Sequence, residues 1–459
     1  MRSIIEPKRE LPVVAEVDVC VIGGGPAGLP AAIAAARQGA STLLVEMQGA
    51  LGGMATSGFI GPILGHTASR SSIPVLGGIP EEMCRRMADI GQASDWEKSL
   101  EAWGVSFNAE GYKIIADRMV REAGIDVMLH TLFVDSVVEQ DTMTHAIVES
   151  KSGRQAIKAK VFVDATGDAD LAFRAGAECT KGRPADGRMM AMGSMFRIGG
   201  VDTLTDEVKK AVIDKMRQAV AAGELNLYGC SLGHRGSTIR DDETTANITR
   251  FGGDCTNVAD LTEGEFTTRD LTWRVLDLWQ TVPGAEGLYL IATPPHVGLR
   301  ESRQLVGEYR ITGQDVVQAV KYDDSVARCG YWIDIHCPLG LVEKGSVHLC
   351  SVNCSRKDCY MLTDYADQLP DELYPPDGEW FDIPYRTLVP KQIDGLLVSG
   401  RCISADYQAM SAMRVMGPCM ATGEAAGTAA GMAANACIRP RSVDVAELRS
   451  SLESTGALV

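Results

Sequence analysis

Two groups of residues carry chemistry in this chain. The first is Gly23, Gly25 and Gly28 in "CVIGGGPAGLPAAIAAARQGASTLLVE", with Glu46 closing the stretch. Glycine at the first position permits a tight turn, at the second lets backbone approach a pyrophosphate, and at the third allows helix and strand to pack closely. The acid lies roughly 20 residues on, where it can accept hydrogen bonds from a ribose. The second group is Asp334 and His336 in "GYWIDIHCPLG". On an extended backbone residues two apart share a face, so the carboxylate can orient or polarise the imidazole for proton transfer. A hydrogen-bonded core histidine explains the pair as well.

The elements around the glycines meet the motif's demands. "VDVCVIGG" is a continuous β-branched run, as in a strand buried on both faces of a parallel sheet. An alanine-rich helical segment follows, whose N-terminus presents free N–H groups to phosphate, and "STLLVE" is the second strand. Pro30 falls near the first helical turn, where a missing donor costs least. Further on come the Gly52–Gly53 pair in "QGALGGMATSG", a strand ending in "DATGDAD", and a strand running into "SGRCISAD".

This ordered series, with "IPYRTLVP" and "MRVMG" added, resembles the FAD-dependent oxidoreductases of glutathione-reductase-like fold from about Val17 to Ala434. The resemblance implies an α/β architecture: a Rossmann-like FAD-binding domain assembled from residues 15–75, 111–180 and 380–437. A helical excursion occupies 76–110, an inserted α+β substrate or cap domain 181–379, and a tail 438–459. It also implies that Gly23, Gly25, Pro26, Ala27 and Gly28 hold the pyrophosphate, and Glu46 with Met47 the adenosine ribose. Gly52, Gly53, Met54 and Ala55 would pass the ribityl chain and ring, and backbone at Phe133 would meet the adenine. Ala165, Thr166, Gly167 and Asp168 would line the adenine side, Gly400 and Arg401 the pyrophosphate and ribityl chain. Val415, Met416 and Gly417 would lie at the isoalloxazine, where Pro418 is expected near a helix start with the N–H groups of Met416 and Gly417 pointing outward.

On the substrate side, Arg414 stands just before that turn and suits a carboxylate clamp or a stabiliser of the flavin anion. Tyr385 and Arg386 precede the third flavin block and are expected near the ring. Arg300 and Arg303 flank Glu301, with internal ion pairing as good a reading as substrate binding. His66 is a pocket residue or covalent attachment point. Gly423, Gly427 and Gly431 form a smooth stripe for close helix packing.

Other signals narrow the chemistry. There is no CxxC, no second nucleotide fingerprint and no WxWxIP, and Gly400-Arg401 stands where an aromatic hydroxylase would show Gly-Asp. A formal charge of −16 disfavours nucleic-acid binding, and no apolar run reaches the roughly 18 residues of a membrane helix. Thirteen scattered cysteines suit reduced thiols of a cytoplasmic protein. Cys350, Cys354 and Cys359 do not have metal-site spacing, so no metal is expected. The reading is an enzyme moving hydride between flavin N5 and a carbon of a small polar substrate, carboxylated in one version. An external electron acceptor or donor completes the cycle, and a homo-oligomer is compatible. The alternatives are a C=C reductase of fumarate-reductase type and an FAD-carrying electron-transfer subunit.

Overall fold

The computed structural model describes residues 3–5, 7–184, 187–227, 229–336 and 373–459. Strand β1 (Val13–Ile22) lies at the centre of a seven-stranded mixed sheet with β2 (Thr42–Val45) and β6 (Gly153–Asp164) parallel on either side. β3 (Asp126–Met128) extends it beyond β2. β6 is long enough to serve two partners. Its first half joins an antiparallel meander with β4 (Leu132–Glu139) and β5 (Thr142–Ser150), and its last residues pair in parallel with β14 (Leu396–Val398).

The β-branched run explains this position. Val19 and Val21 point into one core with Leu44, Val161 and Val163, while Cys20 and Ile22 point into another with Leu43, Val45 and Phe162. A strand buried on both faces can afford no polar side chain in that stretch. On the first face, α1 (Gly28–Arg37) packs against the long helix Met416–Ala436. A Cβ on Gly423 would lie 2.0 Å from the carbonyl oxygen of Ala27, and one on Gly427 2.0 Å from that of Ala31. The glycine stripe therefore sets the helix spacing.

The 76–110 region holds α2 (Gly78–Asp89) and α3 (Trp96–Ser99), ahead of α4 (Ala109–Glu122). The next elements are α5 (Asp170–Arg174) and β7 (Cys179–Lys181). Beyond them an antiparallel sheet of β8 (Met195–Gly199), β9 (Glu243–Asn247) and β10 (Tyr289–Ala292) is covered by α6 (Asp206–Ala221) and α7 (Val258–Gln280). Phe196, Val212, Met216, Val275 and Trp279 form its own core. The chain then returns through β11 (Arg303–Leu305), which pairs with β7, then α8 (Gly313–Val317) and β12 (Ser325–Cys329). β12 pairs with β13 (Phe381–Pro384), and Val326, Ile333 and Ile335 join the core that contains α1. The Cys350, Cys354 and Cys359 group lies outside the described residues.

Candidate functional site

The carboxyl ends of β1, β2, β6 and β14 open into a cavity of about 480 Å³ that extends under the β8–β10 sheet. Four turns meet there. After β1, Gly23 adopts φ +99°, and its N–H donates to the Val45 carbonyl at 2.8 Å. Glu46, directly after β2, is buried against this turn, its two carboxylate oxygens accepting from the N–H groups of Gly24 and Gln48, each at 2.7 Å. Burial pushes its carboxyl pKa up, against those donors. Gly52, at φ +108°, donates its N–H to the Gly24 carbonyl at 2.8 Å, and a Cβ on Gly53 would come within 2.8 Å of Gly25 Cα.

The turns after β6 and β14 are tied by one guanidinium. Arg401 reaches Asp168 Oδ1 at 2.6 Å and the Gly167 carbonyl at 2.8 Å, and also donates to the Leu299 carbonyl. Buried Asp164 holds the first of these turns by accepting from the Thr166 hydroxyl at 2.7 Å and from the Ala172 N–H at 3.0 Å.

At the far end of the cavity, residues 331–336 run with alternating faces. Ile333 and Ile335 are buried in the core, while Trp332, Asp334 and His336 face the cavity. Asp334 Oδ2 accepts from Arg414 Nη2 at 2.9 Å and lies 3.3 Å from His336 Nε2; the same Nη2 also donates to the Asp334 carbonyl at 3.0 Å. Burial alone would raise the Asp334 pKa, but the hydrogen bond from His336 and the charges of Arg414 and Arg300 outweigh it and hold the carboxylate ionised. Burial, reinforced by Arg300 and Arg414, holds the imidazole well below its usual pKa despite the facing carboxylate. An ionised Asp334 accepting from Nε2–H assigns Nδ1 as the basic nitrogen. Arg300 donates to the Ala191 carbonyl at 2.8 Å and to Asn247 Oδ1 at 3.1 Å, whereas Arg303 pairs with Asp170 at 2.9 Å.

The helix start differs from expectation. The helix begins at Met416 with Val415 as its cap, placing Pro418 third, and the Gly417 N–H donates to the Leu64 carbonyl at 2.9 Å. The loop from 61 to 65 thus occupies one of the two donors the sequence leaves open.

A family model described as FAD dependent oxidoreductase matches residues 18–452, nearly the whole chain. The chain belongs to that family. Its cofactor is FAD and its chemistry is oxidation and reduction. Over 179 residues it is 27% identical to thiamine thiazole synthase of Methanococcus vannielii, covering 36% of this chain and 62% of that protein. Over 160 residues it is 30% identical to mitochondrial dihydrolipoyl dehydrogenase of Schizosaccharomyces pombe, covering 33% and 28%. The chain thus spans less than two thirds of either relative's length. A solved geranylgeranyl bacteriochlorophyll reductase-like protein from Thermoplasma acidophilum is similar at 13% identity, with TM-score 0.45, over 96% of this chain and 83% of that one.

The residues present fit FAD. A Cβ built on Gly25 meets only Gly53 Cα, at an ordinary 3.7 Å, so its open side is the cavity itself. Gly23, Gly25, Pro26, Ala27, Glu46, Met47, Gly53, Met54 and Phe133 are on the wall. So are Ala165 to Asp168, Gly400, Arg401 and Arg414 to Met416. Gly28, Gly52, Ala55 and Gly417 stand behind it. A Cβ on Gly28 would strike the Gly23 carbonyl oxygen at 1.7 Å, which is a packing requirement.

Three residues expected near the ring are not on the cavity wall. His66 is buried, its Nε2 2.7 Å from the Ser99 carbonyl and its ring edge-on to Trp96. Tyr385 donates its hydroxyl to the Pro440 carbonyl at 2.8 Å. Arg386 lies over the Tyr309 ring and faces Asp324 at 3.3 Å. The turn at 385–387 directs both side chains away from the cavity. Conversely, Trp103, His234, Asn247, His296 and Trp332 line it without having been singled out. Only Trp332 had a legible signal, the alternation that also marks Asp334 and His336. Among the described residues, no group of three or more His, Cys, Asp or Glu could hold a metal ion, and no helix is long and apolar enough to cross a membrane.

Proposed function

We propose that this FAD-dependent oxidoreductase moves a hydride between its flavin and a carbon of a small, polar, carboxylated substrate held between the glycine turns and residues 331–336. Bound FAD supplies the two-electron acceptor or donor at N5. Gly23 to Ala27 cradle the pyrophosphate, Glu46 and Met47 the ribose, Gly53 and Met54 the ring side, and Met416 offers its N–H at the helix start. The paired acid/base is His336. Held neutral, its Nδ1 takes the proton from the O–H, N–H or C–H adjoining the carbon that gives up the hydride, and returns it in the opposite direction. Asp334 fixes the imidazole, and Arg414 keeps Asp334 ionised. Arg300 and Arg414 against Asp334 leave one positive charge in excess among these three, which favours an anionic substrate.

The observation that carries the reading is the Asp334–His336–Arg414 cluster on the same cavity as the glycine turns. An external partner then reoxidises or reduces the flavin. Anaerobic screening of carboxylated metabolites for bleaching of the flavin absorbance tests this, with the reduced enzyme screened in parallel for reoxidation. Bleaching by neutral compounds alone would remove the carboxylate from this reading, and bleaching by none, while the reduced enzyme passes electrons only to another protein, would replace it with the electron-transfer-subunit reading.

A further inference from the structure

The alternation in "YWIDIH" puts a third side chain beside Asp334 and His336. Trp332 lines the cavity together with them, and its indole is half-buried on the wall. The indole is also the inner end of a stack. It lies against the Tyr374 ring with centroids 5.3 Å apart and planes 14° from parallel. The Arg70 guanidinium covers Tyr374 in turn, 4.2 Å from its centroid. Neither Tyr374 nor Arg70 lines the cavity, so among the described residues the stack runs inward and ends at the indole. Tyr331, also on the wall, flanks the indole at 5.9 Å with a 39° tilt.

A rigid indole backed by a second ring is a flat surface that rewards a flat ligand. Offset stacking adds attraction beyond area burial, and a puckered ring of equal carbon number cannot match it. Two β-branched neighbours locked in the core, Ile333 and Ile335, fix the platform's backbone. We propose that Trp332 is the stacking platform for a planar aromatic or heteroaromatic ring of the substrate, whose carboxylate is drawn to the Arg300 and Arg414 side of the same wall. This rests on the proposed function and narrows its substrate class.

Benzoate and cyclohexanecarboxylate share charge and carbon count but differ in planarity, and benzamide keeps the ring without the charge. Titrating each into the FAD-loaded protein while recording flavin difference spectra gives three affinities. Benzoate should bind roughly three- to tenfold more tightly than cyclohexanecarboxylate. Trp332→Ala should erase that preference and Trp332→Phe retain most of it. Equal affinities in the unaltered protein, a preference that survives Trp332→Ala, or no benzoate signal at millimolar concentration would overturn the proposal. So would a Trp332→Ala protein whose ligand-free flavin spectrum or FAD content has changed, because the indole would then serve the cofactor. Benzamide binding as well as benzoate, with the planar preference intact, would leave the platform standing and remove the carboxylate from the functional reading.

Discussion

Arg414 and Asp334, eighty positions apart in the chain, form an ion pair at 2.9 Å with both side chains only 11% exposed. Arg414 follows directly on the helix Tyr407–Met413, so the pair fastens the 331–336 stretch to the element that leads into the Met416 helix start. Removing one member leaves the other charged with little water around it. Arg414→Met should therefore lower the unfolding free energy of the FAD-loaded protein by about 3–5 kcal/mol. Adding Asp334→Leu to it should recover much of the loss. Denaturant melts of the single and double variants measure both, and a single variant as stable as the parent would show that the pair is hydrated.

Two glycines of the same turn, two and five positions beyond Gly23, should respond in opposite ways. Gly25 has space for a Cβ on its cavity side, whereas Gly28 has none. Gly25→Ala should fold with the parent's circular dichroism yet retain FAD at least about tenfold less well, a loss of about 1.4 kcal/mol in binding. Gly28→Ala should yield little folded protein at all. Full FAD content in purified Gly25→Ala would place the pyrophosphate elsewhere.

The parts of this site that were readable in sequence are those set by local sterics. The buried run of β1, the turn glycines and the small-residue stripe each declare themselves within ten to twenty residues, because strand burial, turn geometry and helix spacing depend on neighbours in the chain. What could not be read depends on partners distant in sequence. The Gly417 N–H is occupied by Leu64, from a loop about 350 positions earlier, and Arg401 finds Leu299 across about 100. Tyr385 and Arg386 show the converse error. They precede a cofactor-facing strand in sequence, but one short turn directs them to Pro440 and Asp324. Trp332 was legible and overlooked, since the periodicity that paired Asp334 with His336 includes it.

A neutral, buried His336 gives the pH profile a distinctive shape. Because burial and two guanidinium groups depress its pKa, the imidazole remains a base far below pH 6.5. Once a substrate is in hand, the rate of anaerobic flavin reduction should stay level between pH 8 and about pH 5.5, with no acid limb where an ordinary histidine would titrate. His336→Gln should slow that rate by roughly 10²–10⁴ while leaving FAD content intact. Stopped-flow reduction across this range checks both. An inflection near 6.5 would show that the imidazole titrates as an ordinary one, and unchanged kinetics in the variant would make His336 a core residue.

Glu424 offers a test on stability. It sits 2% exposed in the helix Met416–Ala436, where its carboxyl accepts from the Ile79 N–H at 3.0 Å, at the start of α2. Burial pushes its pKa from 4.5 up to about 8, against that N–H donor. The folded state thus holds this proton more tightly than the unfolded chain does. Its contribution is full below about pH 4.5 and declines as the pH rises through about 8. Glu424→Gln keeps an acceptor for Ile79 and removes the ionisation, so its stability should escape the decline. Melting temperatures of the two proteins should lie close together at pH 5 and separate by a few degrees in favour of the variant at pH 9, at about 1 °C per kcal/mol for a chain of this length. Curves that stay parallel from pH 5 to 9 would mean that the carboxylate is already ionised in the fold, stabilised by the α2 start strongly enough to cancel the cost of its burial.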